Sequence, residues 1–134
     1  SLKSLSLDIF LHLSFAHSNA ALMLEPNIMQ CIEHAALGVA TSASIPIGVA
    51  IIANLCESVK LHDRIVESPL FLAVKEHVQN DTTIVQQQVI RAMMQLSLSP
   101  GYHHVILSTG VVANVCPVAM TEGLTLELRV NALQ

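Results

Sequence analysis

The feature that most constrains this chain is a period. The pairs Leu13-Ser14, Leu55-Cys56 and Leu96-Ser97 close three apolar stretches at spacings of 42 and 41 residues. Behind each pair come a short amphipathic piece, a breaker and another apolar segment. The breakers Pro26, Pro69 and Gly110 stand 43 and 41 residues apart. A unit that returns at a fixed interval of this length cannot bury its apolar face alone. It must stack on its neighbours, so the core is spread along the chain instead of gathered at one centre.

Within each period the pattern is helical. Residues 85–100 read VQQQVIRAMMQLSLSP, with Val85, Val89, Ile90, Met93, Leu96 and Leu98 mostly three and four apart. That spacing gathers them on one side of a helix and leaves Gln87, Arg91 and Gln95 as a separate polar row. Residues 2–15 predict a helix of the same kind, with Leu5, Ile9 and Leu13 as its apolar stripe and Leu2, Leu7 and Phe10 broadening it. Pro46 suits the first turn of another, whose buried side is Val49, Ile51, Ile52, Leu55 and Cys56. Its β-branched content leaves a buried strand as the local alternative, and the register decides for helix. Shorter helices are expected between these. Ser18 or Asn19 caps one whose apolar face includes Ala21, Leu22 and Leu24; others run from Ile28 to Gly38, through 62–67, from Pro69 through Leu72, Val74 and Val78, and through 102–107 and 111–120. Asp81 or Thr82 would cap the helix of residues 85–97.

VQQQVIRAMMQLS is similar to the long third helix of an armadillo repeat. HVILSTGVVANVCPVAM resembles that family's first helix, glycine turn and second helix. HSNAALMLEPNIMQCIEHAAL and HDRIVESPLFLAVKEHV look like diverged copies, with proline where the turn glycine usually sits. The resemblance covers essentially all 134 residues. It implies an all-α fold, a right-handed α-solenoid (an armadillo/HEAT-like superhelix) of about three repeats. A partial repeat would span 1–38, full repeats 39–79 and 80–122, and the start of another 123–134. Terminal repeats usually carry polar faces, whereas Leu2, Leu5 and Leu7 open this chain and Leu133-Gln134 close it. The chain therefore reads as a segment of a longer array.

In armadillo proteins the third helices line a concave groove that holds extended peptides or partner proteins. By resemblance, Arg91 and Gln95 take the groove positions in the best-matched repeat, with Gln87 one turn before them. Ala50 and Asn54 take them in the preceding copy, and Asp8 and His12 in the first. Gln134 would start the next row. Asn54 is the family's own residue at its own position, and Gln and Asn can each donate and accept along a peptide backbone. The implied function is a non-catalytic protein-protein interaction scaffold or adaptor, cytoplasmic and part of a larger assembly, with cytoskeletal or ciliary structures as one family setting. The chain has no Trp, so the Trp/Asn array of nuclear-transport receptors is missing. An importin-alpha-like peptide receptor is the alternative, followed by an enzyme or metal-binding helical domain.

Composition bears on the remaining classes. A formal charge of −4 supplies no basic face, so nucleic acid is not expected as a partner. Residues 37–56 are twenty positions without a formal charge, about the span of a bilayer. Their Ser, Thr, Pro46 and Asn54, and their fit to the period, argue against membrane insertion. Cys31, Cys56 and Cys116 are widely spaced at apolar helical positions without a CxxC, which reads as buried, reduced thiols. Among seven histidines, Cys31 and His34 lie one turn apart and His103-His104 are adjacent. No second pair and no HExxH completes a ligand set, so no metal, cofactor or catalytic residue is expected.

Overall fold

The computed structural model describes residues 2–80 and 82–113. The expectations for Asp81, for Cys116, for the helix beyond residue 113, for the repeat start at 123–134 and for Gln134 lie outside these residues. The described chain is all-helical, with no strand. In order come α1 (Leu2–Ser14), α2 (Ala20–Met23), α3 (Pro26–Leu37), α4 (Ile45–Leu55), α5 (His62–Val66), α6 (Pro69–Lys75), α7 (Thr83–Leu96) and α8 (His103–Ser108). Single 3-10 turns at His17–Asn19, Ser42–Ser44, Val59–Leu61 and Pro100–Tyr102 lead into α2, α4, α5 and α8.

The period is written into the helix ends. The Glu25 carboxylate accepts from the Ile28 amide at the start of α3, and the Ser68 hydroxyl from the Leu70 amide at the start of α6. Thr109 Oγ1 accepts from the Val111 amide at the next helix start. These caps stand 43 and 41 residues apart, each just before a breaker. Pro26 and Pro69 are therefore first-turn residues, where a missing N–H costs nothing. Gly110, at the third such place, takes the left-handed conformation, φ 82°, which the prolines at the other two do not.

A second device repeats at the far ends of the long helices. Asn19 Nδ2 donates to the Leu13 carbonyl at 3.0 Å, His62 Nε2 to that of Cys56 at 2.6 Å, and His103 Nε2 to that of Ser97 at 2.7 Å. In each case a side chain six positions on satisfies a C-terminal carbonyl that the helix leaves open. His62 is fully buried, and its Nδ1 lies 2.6 Å from Ser99 Oγ. A carbonyl can only accept, so Nε2 carries a proton.

Helix α1 packs on α4, α4 on α7, and α3 on both α4 and α6. Ile32 and Ala36 of α3, Ile51, Ile52 and Leu55 of α4, Leu70 and Val74 of α6 and Val89 and Leu96 of α7 share one buried cluster. Helices α3 and α4 approach closely at Gly48. A Cβ placed on Gly48 would stand 2.3 Å from the Ala36 amide nitrogen and 2.6 Å from its Cα. Only a residue without a side chain fits that crossing. The uncharged stretch is broken by Gly38, whose φ of 68° ends α3, and α3 and the segment through α4 meet at 111°.

Several expected burials are corrected. Leu5, Ile9 and Leu13 are 60%, 58% and 43% exposed. Helix α1 is instead turned so that Phe10 and Leu11 pack on the core and Ser14 bonds to α4. Among the described residues, α4 covers α1 from that one side only. Leu22 and Leu72 are exposed, with Ala20, Met23 and Leu24 buried in α2 and its exit, and Leu70, Phe71, Ala73 and Val74 in α6. Leu98 is exposed because α7 stops at Leu96 and the following turn carries it away. Cys31 is exposed, lying on the side of α3 shared with Asn27, Gln30 and His34, whereas Cys56 is buried. Thr82 stands at the N-cap of α7 but makes no side-chain cap; its own amide donates to Asn80 Oδ1.

Candidate functional site

The row expected to line a groove runs along α1, α4 and α7, and it divides into free and engaged members. Asp8 and His12 are exposed on α1, with His12 Nδ1 2.6 Å from the Asp8 carbonyl. Gln87 is exposed on α7, and Gln95 is half-buried there. Ala50 is half-buried, and its carbonyl accepts from Arg91 Nη2 at 3.3 Å. Gln134 lies outside the described residues.

Asn54 requires a correction. It is 3% exposed, and its Nδ2 donates to Ser14 Oγ at 2.8 Å. Packing of α1 against α4 places this amide between helices, where it serves the contact and is not offered to a ligand. The Ser14 hydroxyl in turn donates to the Leu11 carbonyl, so the pair is satisfied as a short chain.

Arg91 is the organising charge. Its Nε and Nη2 donate to Gln88 Oε1 at 3.0 and 2.8 Å, and its Nη1 to Glu57 Oε1 at 3.1 Å. The other Glu57 oxygen lies 3.1 Å from His17 Nε2. One carboxylate therefore joins a residue before α2 to a residue of α7, across the period in both directions. Sequence reading missed Glu57 and His17. The available signal was position: Glu57 is the first formal charge after Glu33, twenty-three uncharged residues on, and directly follows the Leu55-Cys56 pair.

Beside this pair lies a cleft of about 560 Å³ lined by His17, Ser18, Ala21, Glu57, Ser58, Val59, Lys60 and Leu61. The Ser58 hydroxyl is buried without a hydrogen-bond partner. Under Arg91 sits Cys56, whose thiol burial pushes up to about 12, with Arg91 pulling it down and Glu57 adding to the rise. It stays protonated at neutral pH and has no nucleophilic character. Among the described residues no three His, Cys, Asp or Glu side chains gather as a metal site would require, and no single helix is long and apolar enough to cross a membrane.

A scan of protein-family models finds no match to this chain, and searches of curated proteins and of solved structures find none either.

Proposed function

We propose that the chain is an armadillo-type right-handed α-solenoid and acts as a non-catalytic protein-binding scaffold or adaptor. The observation that carries this reading is the side-by-side order of α1, α4 and α7, together with side-chain bonds along the chain that span about one period. Asn54 reaches Ser14 over 40 residues, His17 reaches Glu57 over 40, Arg91 reaches the Ala50 carbonyl over 41, and His77 reaches the Ala36 carbonyl over 41. A chain that bonds to itself repeatedly over 40 and 41 residues suits a stacked array, and the extended surfaces of such arrays serve partner binding.

Within that reading the adaptor is better supported than a groove that grips peptide backbone. Asn54 and Arg91 are occupied inside the fold and His12 Nδ1 meets the Asp8 carbonyl, which leaves the Asp8, Gln87 and Gln95 side chains as the remaining polar members of the row. Leu22, Leu72 and Leu107 meanwhile stand well exposed on the shorter helices, apolar side chains suited to burial under a partner. A receptor for basic nuclear-transport peptides is the weaker alternative, since the row has neither a Trp nor an accessible Asn. A cytoplasmic assembly is the setting this composition suits, with cytoskeletal and ciliary structures among those the family occupies.

The test is site-specific photo-cross-linking in native extract, with the probe at Gln87 on α7 or at Leu72 on α6. The scaffold reading expects one dominant protein captured from one of the two positions and competed by unlabelled chain. Capture from Leu72 alone identifies the adaptor surface, and capture from Gln87 alone moves the site to the row. Equal, uncompeted background from both would contradict the reading.

A further inference from the structure

We propose that the cleft between the first two 3-10 turns receives an acidic side chain of a protein partner, held by Lys60. The inference takes the protein-binding reading above as given and names what the partner brings. It follows from comparing two successive junctions of the period. The turns His17–Asn19, Val59–Leu61 and Pro100–Tyr102 recur at that interval. Between the second and the third, two pairs of side chains reach across. His62 Nδ1 lies 2.6 Å from Ser99 Oγ, and the Tyr102 hydroxyl donates to Asp63 Oδ1.

At the same register, the junction of the first and second turns has Ala20 in place of His62 and Ser58 in place of Ser99. It has Ala21 in place of Asp63 and Leu61 in place of Tyr102. Neither bond can form there. One consequence is internal: the Ser58 hydroxyl is left buried without a hydrogen-bond partner, whereas its counterpart Ser99 meets an imidazole. The other consequence faces outward. Ala21 and Leu61 line the cleft of about 560 Å³, whose two walls are described residues about one period apart. The cleft therefore belongs to the junction itself, and its volume lies within the ~300–1,000 Å³ of ligand sites.

Charge selects the occupant. Ala21 stands where the next junction places the Asp63 carboxylate, so the missing group is an acid on a short apolar stem. Lys60, on the opposite wall, is exposed and makes no ion pair among the described residues. Glu57 also lines the cleft but is already engaged, with one oxygen 3.1 Å from Arg91 Nη1 and the other 3.1 Å from His17 Nε2. The charge left without a partner is positive. An entering carboxylate gains the Lys60 ammonium as a charge-assisted donor, and Ala21, Val59 and Leu61 surround its stem. At the next junction the chain supplies this carboxylate itself; here a partner supplies it.

The probe is a blocked pentapeptide with one central Glu among Ala and Leu, followed through the Ala21 and Leu61 methyl resonances of the full chain. It should give saturable shifts. Its Gln version should bind at least about tenfold more weakly, the loss of one hydrogen bond to a charged group. Lys60→Gln should weaken the Glu peptide equally, whereas Lys75→Gln, at an exposed lysine away from the cleft, should not. Ala21→Asp combined with Leu61→Tyr rebuilds the Asp63–Tyr102 pair at the first junction and should abolish binding with circular dichroism unchanged. Equal binding of the Glu and Gln peptides, binding that survives the double variant, or no saturable shift would each overturn the proposal. Phenylacetate binding as tightly as the Glu peptide would mean a small-molecule site and overturn it too. These results leave the scaffold reading to its own cross-linking test.

Discussion

The Asn54 amide donates to the Ser14 hydroxyl at 2.8 Å, joining two helices forty residues apart in the chain. The contact is buried, so removing the amide takes away one hydrogen bond between the helices while Ser14 Oγ keeps its bond to the Leu11 carbonyl. Asn54→Ala should lower stability by about 0.5–1.5 kcal/mol, the net contribution of one intramolecular hydrogen bond. A double-mutant cycle with Ser14→Ala, read by urea denaturation, should return a coupling of about 0.5–3 kcal/mol. Coupling near zero would return Asn54 to the role of a free groove residue.

Gly48 should invert the usual helix rule. On propensity alone, Gly→Ala in a helix interior gains about 1 kcal/mol. Here the added methyl meets the Ala36 backbone at 2.3–2.6 Å, and backbone cannot step aside as a side-chain tip can. Gly48→Ala is expected to destabilise by about 1–3 kcal/mol as α3 and α4 are forced apart. Thermal melts beside Gly101→Ala, which meets nothing within 4 Å, separate the steric effect from propensity.

Cys56 predicts a loss of stability in alkali. The unfolded thiol titrates near its ordinary 9.0, while the folded one holds its proton to about 12. Between those values the unfolded chain binds fewer protons than the folded one, so stability is intact below pH 9.0 and declines as pH rises. The slope from this group is about 1.4 kcal/mol per pH unit. Urea melts on either side of pH 9.0 should show the decline in the parent and a shallower one in Cys56→Ala. Iodoacetamide at neutral pH should label Cys31, which is exposed, and reach Cys56 only on unfolding.

The period was legible because it is carried by types of residue that act locally. Proline and glycine mark the turns whatever surrounds them, so Pro26, Pro69 and Gly110 located the helix starts. Leu55, Leu96 and Cys56 fell on the buried side because their helices are covered on several sides, and the all-helical character followed from the same spacing. The orientation of α1 was not legible. Its leucines and isoleucine make two rows of similar apolarity, and the choice between them depends on the single neighbour that α4 provides. Asn54 was misread for a related reason: a family position shows where a residue sits on a helix, not whether the adjacent unit holds a Ser14 that consumes its amide. Glu57, His17 and the cap by His62 were missed because each draws its meaning from residues brought together only by folding.

The register of the proposed array is tested most directly by Leu→Ala substitutions at Leu13, Leu55 and Leu96, compared by urea denaturation. These three hold equivalent places in the period, but Leu55 and Leu96 are buried and Leu13 is 43% exposed. Leu55→Ala and Leu96→Ala should each cost about 2–5 kcal/mol. Leu13→Ala should fall near the surface range of about 0.5 kcal/mol. Three equal losses, or a loss at Leu96 as small as that at Leu13, would contradict the stacking of α1, α4 and α7 on which the account rests.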